Sequence, residues 1–306
     1  MEKDRWGVIF SSKVGSRKAY RHWLDIKDYM EKNHVKYDFV QSEGVGAVER
    51  LTKMLCENGY KTIVLVGNDA SLNEALNAIL SMNQPDDFAF GLLPNGIGND
   101  FARFWGRTEE EYKKSVDALI HRKTRKIDVG YCVYTDDSNI PYRRYFLNCI
   151  NIGLGAKVVD TLDKCTRLTG SKFLSMVPAA ITNILGQKSF NVKMCADNEN
   201  VELNALSICI GNARGYGQTP NAVPYNGLLD MSVIIRPEWW QLAQGFWLLN
   251  NGKFLNYKNV RPYRVEQILM SDISKATVTL DGLHLDVKHP APMRIGLERE
   301  ALNFIV

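Results

Sequence analysis

The sequence predicts a two-part chain: an α/β domain on a mostly parallel sheet over residues 1–130, then a β-rich domain over 131–306. Strand-like and helix-like runs alternate through the first 130 residues, the pattern of a parallel sheet covered on both faces. After Asp128 the texture changes, and strand-like runs dominate with two helical stretches among them. A length of 306 residues suits one large domain or two modest ones, with ample chain for a core.

Residues 7–10 read as a buried strand, and 16–33 carry Tyr20, Trp23, Leu24 and Met30 at roughly helical spacing. A second strand is expected over 35–40 and a second helix over 45–58. The clearest strand is 61–66, β-branched and uninterrupted, ended by Gly67. A helix over 70–81 follows, with Leu72, Ala75, Leu76, Ile79 and Leu80 on one face. Residues 88–93 form the next strand, stopped by Pro94, and Thr108-Glu109-Glu110-Glu111 reads as a capping box opening a helix to His121. The polar, turn-rich 134–141 marks the expected boundary. Beyond it, strands are expected over 144–150, 191–195, 203–210, 229–235 and 276–280, and helices over 172–186 and 239–250. The last strands, 293–297 and 301–306, close the second domain or return to the first.

The composition, 45% hydrophobic and 24% charged, is that of a globular protein and excludes a disordered or collagenous chain. A net charge of +4, with no basic stripe or tail, excludes the electrostatic footprint of a nucleic-acid binder. Cys56, Cys132, Cys149, Cys165, Cys195 and Cys209 are scattered, with no CxxC and no zinc-like pairing with histidine; they read as buried, reduced thiols. The first apolar stretch, 6–10, is too short for a signal-peptide core. The longest uncharged run, 173–187, contains Pro178, Thr182, Asn183 and Gly186, whereas a spanning helix needs about 20 predominantly apolar residues. A cytoplasmic chain without a transmembrane segment is expected. The oligomeric state is left open, a homodimer included.

Two loops stand out, Val66-Gly67-Asn68-Asp69-Ala70-Ser71-Leu72-Asn73-Glu74 and Leu93-Pro94-Asn95-Gly96-Ile97-Gly98-Asn99-Asp100-Phe101. Each follows a strand and enters a helix, which is where open α/β sheets bind ligands. Small residues let the backbone approach a phosphate, and a helix N-terminus supplies N–H groups and positive dipole. Neither loop is a Walker A or GxGxxG motif, and either one alone reads equally well as a tight turn with a helix cap.

Together and in this order they resemble the diacylglycerol kinase catalytic-domain family, which includes sphingosine kinases and bacterial lipid kinases. That family reads Gly-Gly-Asp-Gly-Thr-Leu-Asn-Glu at the first loop and Leu-Pro-x-Gly-Thr-x-Asn-Asp-Phe-Ala-Arg at the second, nearly intact here through Ala102 and Arg103. Ser11-Ser12-Lys13-Val14-Gly15 stands where the family has an Asn-Pro-x-x-Gly nucleotide loop, and Ser42 and Gly46 occupy the Thr and Gly of the next one. Ile127-Asp128-Val129-Gly130, Phe146-Leu147-Asn148 and Gly153 match further segments. So do Gly211-Asn212, Gly217, Pro220, Ala222 and Gly227-Leu228-Leu229-Asp230, and Asp281-Gly282 stands for Asp-Gly-Glu.

The resemblance implies an α/β domain of the NAD kinase/diacylglycerol kinase type followed by a β-sandwich. It also implies phosphoryl transfer from ATP, with Mg2+, to a lipid hydroxyl (diacylglycerol or a sphingoid base) at a membrane surface. By that analogy Asp69 orients nucleotide-bound magnesium or the acceptor hydroxyl. Gly67, Asn68, Ala70, Ser71, Asn73, Gly96, Ile97 and Asn99 line the nucleotide together with Ser11 to Gly15 and Ser42, and Asp128 joins a polar network near the metal. The residues themselves offer a plainer reading of Asp69, as the N-cap of the helix from Ala70. NAD kinases share the superfamily fold and similar Gly-Gly-Asp-Gly and Asn-Glu motifs; Asn99 to Arg103 and Gly227 to Asp230 favour the lipid branch.

The chain also departs from the family pattern. The first loop loses two glycines, at Asn68 and Ala70, which matters if either position adopts positive φ. Ile97 and Ser11 replace Thr and Asn. A structural magnesium site of bacterial members, two backbone carbonyls and an Asp, falls here on Val223, Asn226 and Leu228, so the carboxylate is gone. Leu283 replaces the Glu of Asp-Gly-Glu, leaving Asp281 and, if the turn shifts the strand register, His284 as catalytic candidates. These losses also fit a catalytically impaired relative that binds nucleotide or lipid. Trp239-Trp240, Phe246-Trp247 and Leu248-Leu249 read either as an aromatic edge touching a bilayer or as core. The cluster Arg122-Lys123-Thr124-Arg125-Lys126 reads either as an anionic-lipid contact or as a solvated connector.

Overall fold

The computed structural model describes residues 5–11, 17–44, 46–96, 98–157, 189–235, 241–273, 276–289 and 292–306. The chain divides into two compact units, Met1–Asp128 with Arg299–Val306, and Val129–Glu298.

The first unit alternates strand and helix: β1 (Trp6–Ser11), α1 (Arg17–Lys32), β2 (Tyr37–Ser42), α2 (Ala47–Glu57), β3 (Thr62–Gly67), α3 (Asp69–Leu80), β4 (Ala89–Pro94), α4 (Asp100–Phe104) and α5 (Tyr112–His121). All strand pairs are parallel, in the order β2-β1-β3-β4, and the end of β15 (Met293–Ile305) lies beside β4 with Asn303 opposite Ala89. Every residue of β1, β3 and β4 is buried. That is why these strands read as continuous apolar runs rather than alternating ones; each Val, Ile or Leu so enclosed contributes roughly 1.5–3 kcal/mol. On α1 the packed stripe is Ala19, Trp23, Ile26 and Met30. It follows the helical period and leaves Tyr20 and Leu24, expected on that face, about a quarter-turn off it and exposed.

The chain leaves the first unit along β5 (Thr124–Thr135) and returns along β15. The second unit is antiparallel. Its strands are β6 (Pro141–Phe146), β7 (Cys149–Gly153), β8 (Phe190–Ala196), β9 (Glu199–Gly211), β10 (Leu229–Ile235), β11 (Val260–Val265), β12 (Gln267–Asp272), β13 (Val278–Leu280) and β14 (Leu283–Leu285), with α6 (Gln241–Asn250) after β10. They run β14-β13-β7-β9-β8-β12-β15, with β10 and then β11 added beside β9 and β6 beside β5. Ile150, Ile152, Ile208, Ile210, Met231, Ile268 and Ile295 are among the side chains that fill one core.

Several expectations need correction. The turn-rich 134–141 is the tip of the β5–β6 hairpin: Thr135 pairs with Pro141, and the loop between them is closed where Asp136 Oδ1 accepts the Ile140 N–H at 2.8 Å. The run 144–150 is two strands, broken at Leu147-Asn148. Conversely, Met293–Ile305 is one strand, in which Glu300 takes φ 52°, as a residue at a bulge can. β11 and β12 escaped notice because polar residues and a proline interrupt them: β11 has Arg261, Pro262 and Arg264 between its two buried valines, and β12 offers only Ile268-Leu269-Met270 between polar ends. The helix expected over 172–186 lies outside the described residues, as do Ser12 to Gly15, Ile97, Cys165, Trp239 and Trp240.

Candidate functional site

The carboxyl ends of the parallel strands bring the first loop together. Ser11 of β1 is paired in register with Ser42 of β2, and Gly67 of β3 with Pro94 of β4. Gly67 leaves no space for a side chain: a Cβ would stand 2.4 Å from Ser71 Oγ and 3.1 Å from Ser11 Cβ. Asn68 is extended (φ −113°, ψ 179°) and caps α3; its Oδ1 accepts the Ser71 N–H at 3.2 Å while Ser71 Oγ accepts the Asn68 N–H at 3.0 Å. The cap is therefore Asn68, and the plainer reading of Asp69 as the cap is wrong. Asn68 is extended, and Ala70 lies within α3 and outside the positive-φ residues, so neither lost glycine was required for φ.

Asp69, buried in the first turn of α3, reaches across to the second loop. Its Oδ2 accepts the Asp100 N–H at 2.8 Å and its Oδ1 the Phe101 N–H at 3.3 Å, so one carboxylate caps α4. The Asp69 N–H donates to Gly98 O at 2.7 Å, and the Asn95 N–H to Gly67 O at 3.0 Å. The two loops are thus laced to each other. Gly96 and Gly98 take φ of 90° and 88°, where a side chain is strained.

Three buried polar atoms in this cradle lack a hydrogen-bond partner among the described residues: Ser11 Oγ, Asn95 Oδ1 and Asn99 Oδ1. Asn95 Nδ2 donates to Ala19 O of α1, and Asn99 Nδ2 to Gly96 O. A buried hydroxyl or amide oxygen without a partner costs about 1–3 kcal/mol, so such a group is retained against folding stability. The Glu109 carboxylate accepts the Gly96 N–H and lies 3.6 Å from Lys18 Nζ. The capping box expected at 108–111 does not form: α5 starts at Tyr112, Glu111 stands at its N-cap position without a side-chain cap bond, and the Glu111 carboxylate pairs with Lys114 instead. The buried Arg107 donates to Leu92 O of β4 (3.2 Å) and Ile305 O of β15 (2.9 Å), with no carboxylate partner among the described residues. Burial pushes its pKa down to about 10, which still leaves the guanidinium charged at neutral pH. Asn73 and Glu74 are buried in α3. Asn77 Nδ2 donates to Asn73 Oδ1, and Glu74 accepts the Val48 N–H at the start of α2. Asp128 accepts the Glu300 N–H of β15.

In the second unit Asp281 and Gly282, at φ 48° and 87°, form the two-residue turn between β13 and β14, the geometry favoured for a tight hairpin. The buried Asp281 carboxylate accepts three backbone N–H groups, those of Leu147 (2.8 Å), Asn148 (2.9 Å) and Cys149 (2.9 Å). Asn148 in turn gathers the 211–215 segment: its O accepts the Asn212 and Ala213 N–H groups and its Oδ1 the Gly215 N–H. His284 lies on the exposed face of β14, 3.4 Å from Asp286, because the tight turn keeps simple alternation and no register shift brings it inward. Val223, Asn226 and Leu228 share one turn, but Asn226 Oδ1 is occupied by the Leu228 N–H at 3.0 Å. No carboxylate stands at these three positions, so any cation there would have to be held by carbonyl and amide oxygens alone. Among the described residues no three His, Cys, Asp or Glu side chains cluster for a metal, and no helix is long and apolar enough to cross a membrane.

The sequence profile of the diacylglycerol kinase catalytic domain matches residues 5–132, and that of the YegS C-terminal NAD kinase beta sandwich-like domain matches 148–306, more than half of the chain. The chain belongs to the diacylglycerol kinase catalytic-domain family. A diacylglycerol kinase of Staphylococcus saprophyticus is 22% identical over 290 residues, 92% of this chain and 89% of that one. A probable lipid kinase YegS-like protein of an Enterobacter species is 26% identical over 302 residues, 97% and 94% of the two chains. The crystal structure of a diacylglycerol kinase from Bacillus anthracis superposes with a TM-score of 0.69 at 15% identity, covering 100% and 97%, a likeness of fold.

As a member of this family the chain is an α/β domain with a mostly parallel sheet followed by a β sandwich. Sequence reasoning missed Glu109 and Arg107 in this diacylglycerol kinase-like cradle. Glu109 was legible only as part of a cap. Arg107 gave no signal, since nothing in a single sequence separates a buried arginine from a solvated one.

Proposed function

We propose that this protein is a lipid kinase that moves the γ-phosphoryl group of ATP to a lipid hydroxyl, with diacylglycerol the first acceptor to test. The observation that carries this reading is the laced pair of loops, in which Asp69 joins the first to the second at their helix N-termini, within a chain of the diacylglycerol kinase family. Glycine-containing loops at the carboxyl ends of two adjacent parallel strands, the first of them leading into α3, suit an anionic polyphosphate. The unpartnered Ser11 Oγ and Asn99 Oδ1 are groups that a nucleotide would satisfy.

Phosphoryl transfer proceeds through a loose transition state, so it depends mainly on positioning and charge neutralisation. Loss of the family Glu at Leu283 is tolerable on that ground, since it removes proton abstraction and leaves positioning intact. Magnesium, when bound with the nucleotide, supplies charge neutralisation. Asp69 suits it as a protein ligand, because a carboxylate is the oxygen donor a hard cation prefers and this one stands where the two loops meet.

The test is transfer of label from [γ-32P]ATP to a chloroform-extractable product across diacylglycerols and sphingoid bases, with magnesium present. Labelled phosphatidic acid or a phosphorylated sphingoid base is expected. ATP-dependent thermal stabilisation without any labelled lipid would overturn the kinase reading.

A further inference from the structure

We propose that α6 and the turn after it form a contact surface for an anionic lipid bilayer, with Trp247 entering the headgroup region and Lys253 and Lys258 facing lipid phosphates. The proposal rests on the lipid-kinase reading, whose acceptor lies in a membrane. Helix α6, Gln-Leu-Ala-Gln-Gly-Phe-Trp-Leu-Leu-Asn, carries no charge. Its packed face is fixed by Leu248, which clusters with Phe254, Tyr257 and Val260, and by Gly245, where a Cβ would stand 2.8 Å from the Tyr257 ring. At about 100° per residue, Trp247 lies roughly 160° around the helix from Gly245 and about 100° from Leu248, off the packed face. It is 60% exposed, the highest value among the exposed large hydrophobic side chains of the described residues.

A single exposed apolar side chain needs no explanation; the charges around this one are what point to a partner. Residues 239–265 contain no Asp or Glu, and Lys253, Lys258 and Arg261 are exposed. Arg264 is paired with Asp230 at 2.7 Å and is left out of the surface. The Lys253 N–H donates to Leu248 O at 2.8 Å, which seats the first of these cations one turn from Trp247. An amphipathic tryptophan beside lysines with no neighbouring acid in sequence matches the interfacial belt of a bilayer and the negative potential of anionic lipid.

The test is co-sedimentation with vesicles of phosphatidylglycerol and phosphatidylcholine in equal parts, and of phosphatidylcholine alone. Wild type, Trp247→Ser and Lys253→Gln/Lys258→Gln are compared. Wild type is expected to favour the anionic vesicles, less so at high salt. The double lysine variant should bind roughly 30-fold more weakly, about fivefold per charge, and the tryptophan variant roughly tenfold more weakly. Both variants should keep the wild-type unfolding midpoint. Failure of wild type to bind anionic vesicles, or binding that neither variant weakens, overturns the surface. Transfer to dioctanoylglycerol in neutral detergent micelles is read separately. If it is absent while the variants still lose vesicle binding, the kinase reading fails and the surface stands. If it is present and vesicle binding ignores all three residues, the surface alone fails.

Discussion

The Asp69 carboxylate accepts the Asp100 N–H at 2.8 Å, so a residue in the first turn of one helix holds the start of another that is 31 positions away in sequence. Two strands that neighbour each other in the sheet end in loops that share donors and acceptors, and neither loop keeps its shape without the other. Asp69→Asn tests this dependence. The amide preserves the shape but turns an NH2 group toward one of the two N–H donors and removes the charge that complements the α4 N-terminus. The expected loss is about 2 kcal/mol in urea unfolding. On the proposed function, phosphate transfer falls by far more than the change in stability explains.

Ser11 makes a contrasting case. Its Oγ is buried and unpartnered among the described residues, so Ser11→Ala removes an unsatisfied group. Thermal unfolding of the variant without nucleotide is expected at or above the wild-type midpoint, because a desolvated hydroxyl is lost without a bond. If the hydroxyl serves nucleotide, the ATP-dependent rise in midpoint shrinks at the same time. A variant less stable without nucleotide and unchanged in its response to ATP would assign Ser11 to the fold alone.

Much of the first unit was legible in the sequence because buried parallel strands announce themselves as apolar runs, as 61–66 does, and because punctuation such as Gly67 and Pro94 sits where the strands end. The pairing of the two loops was legible only through the family resemblance. That Asp69 caps α4 rather than α3 was not, because both arrangements use the same residue at the same place and only the distance to Asp100 separates them. The second unit was harder to read. Its half-buried strands carry short or broken apolar runs: Arg261, Pro262 and Arg264 separate the two valines of β11, and only three apolar residues stand between the polar ends of β12. The break at Leu147-Asn148 depends on Asp281, more than 130 residues later, which no local pattern records.

That break gives a further prediction. Asp281 satisfies three buried N–H groups at once, so its structural duty is to hold the β6–β7 corner and, through Asn148, the 211–215 segment. Asp281→Ala leaves those donors unpaired at about 1–3 kcal/mol each, comparable to the whole stability of a typical domain, and little folded protein is expected. Asp281→Asn keeps part of the network and should fold with a lowered midpoint. If Asp281 acts by positioning, activity of the Asn variant recovers at lower temperature with an unchanged pH profile. A lost acidic limb in that profile would assign it a proton-transfer role.

At the edge of the first sheet Asp38 supplies a pH signature. The Tyr60 O–H first, and the Arg5 guanidinium second, hold its carboxyl below the usual carboxylate range. A carboxyl depressed in the folded state adds stability that is fully present above its unfolded pKa, near 3.9, and is lost as pH falls through the lower folded value. Because the pair is largely solvent-exposed, screening keeps the contribution under about 1 kcal/mol. Asp38→Asn should therefore be slightly less stable than wild type at pH 7, with the gap closing below about pH 4. Chemical denaturation at stepped pH reads this directly, and a gap that persists at pH 2 would mean that the contact acts by packing and not by charge.

Glu109 offers the sharpest test of the cradle as an anion site. Its carboxylate accepts the Gly96 N–H, in the loop where the proposed function places a phosphate, so the protein's own anion and the nucleotide compete for one donor. Lys18, on the other side of that carboxylate, is highly exposed and holds it only weakly. Glu109→Gln keeps an oxygen for Gly96 while removing the negative charge. ATP affinity measured by calorimetry is expected to rise roughly three- to tenfold, the size of one partly screened charge repulsion. Weaker ATP binding in the variant would show the opposite relation, in which the charged Glu109 shapes the Gly96 turn for the nucleotide instead of standing in its place.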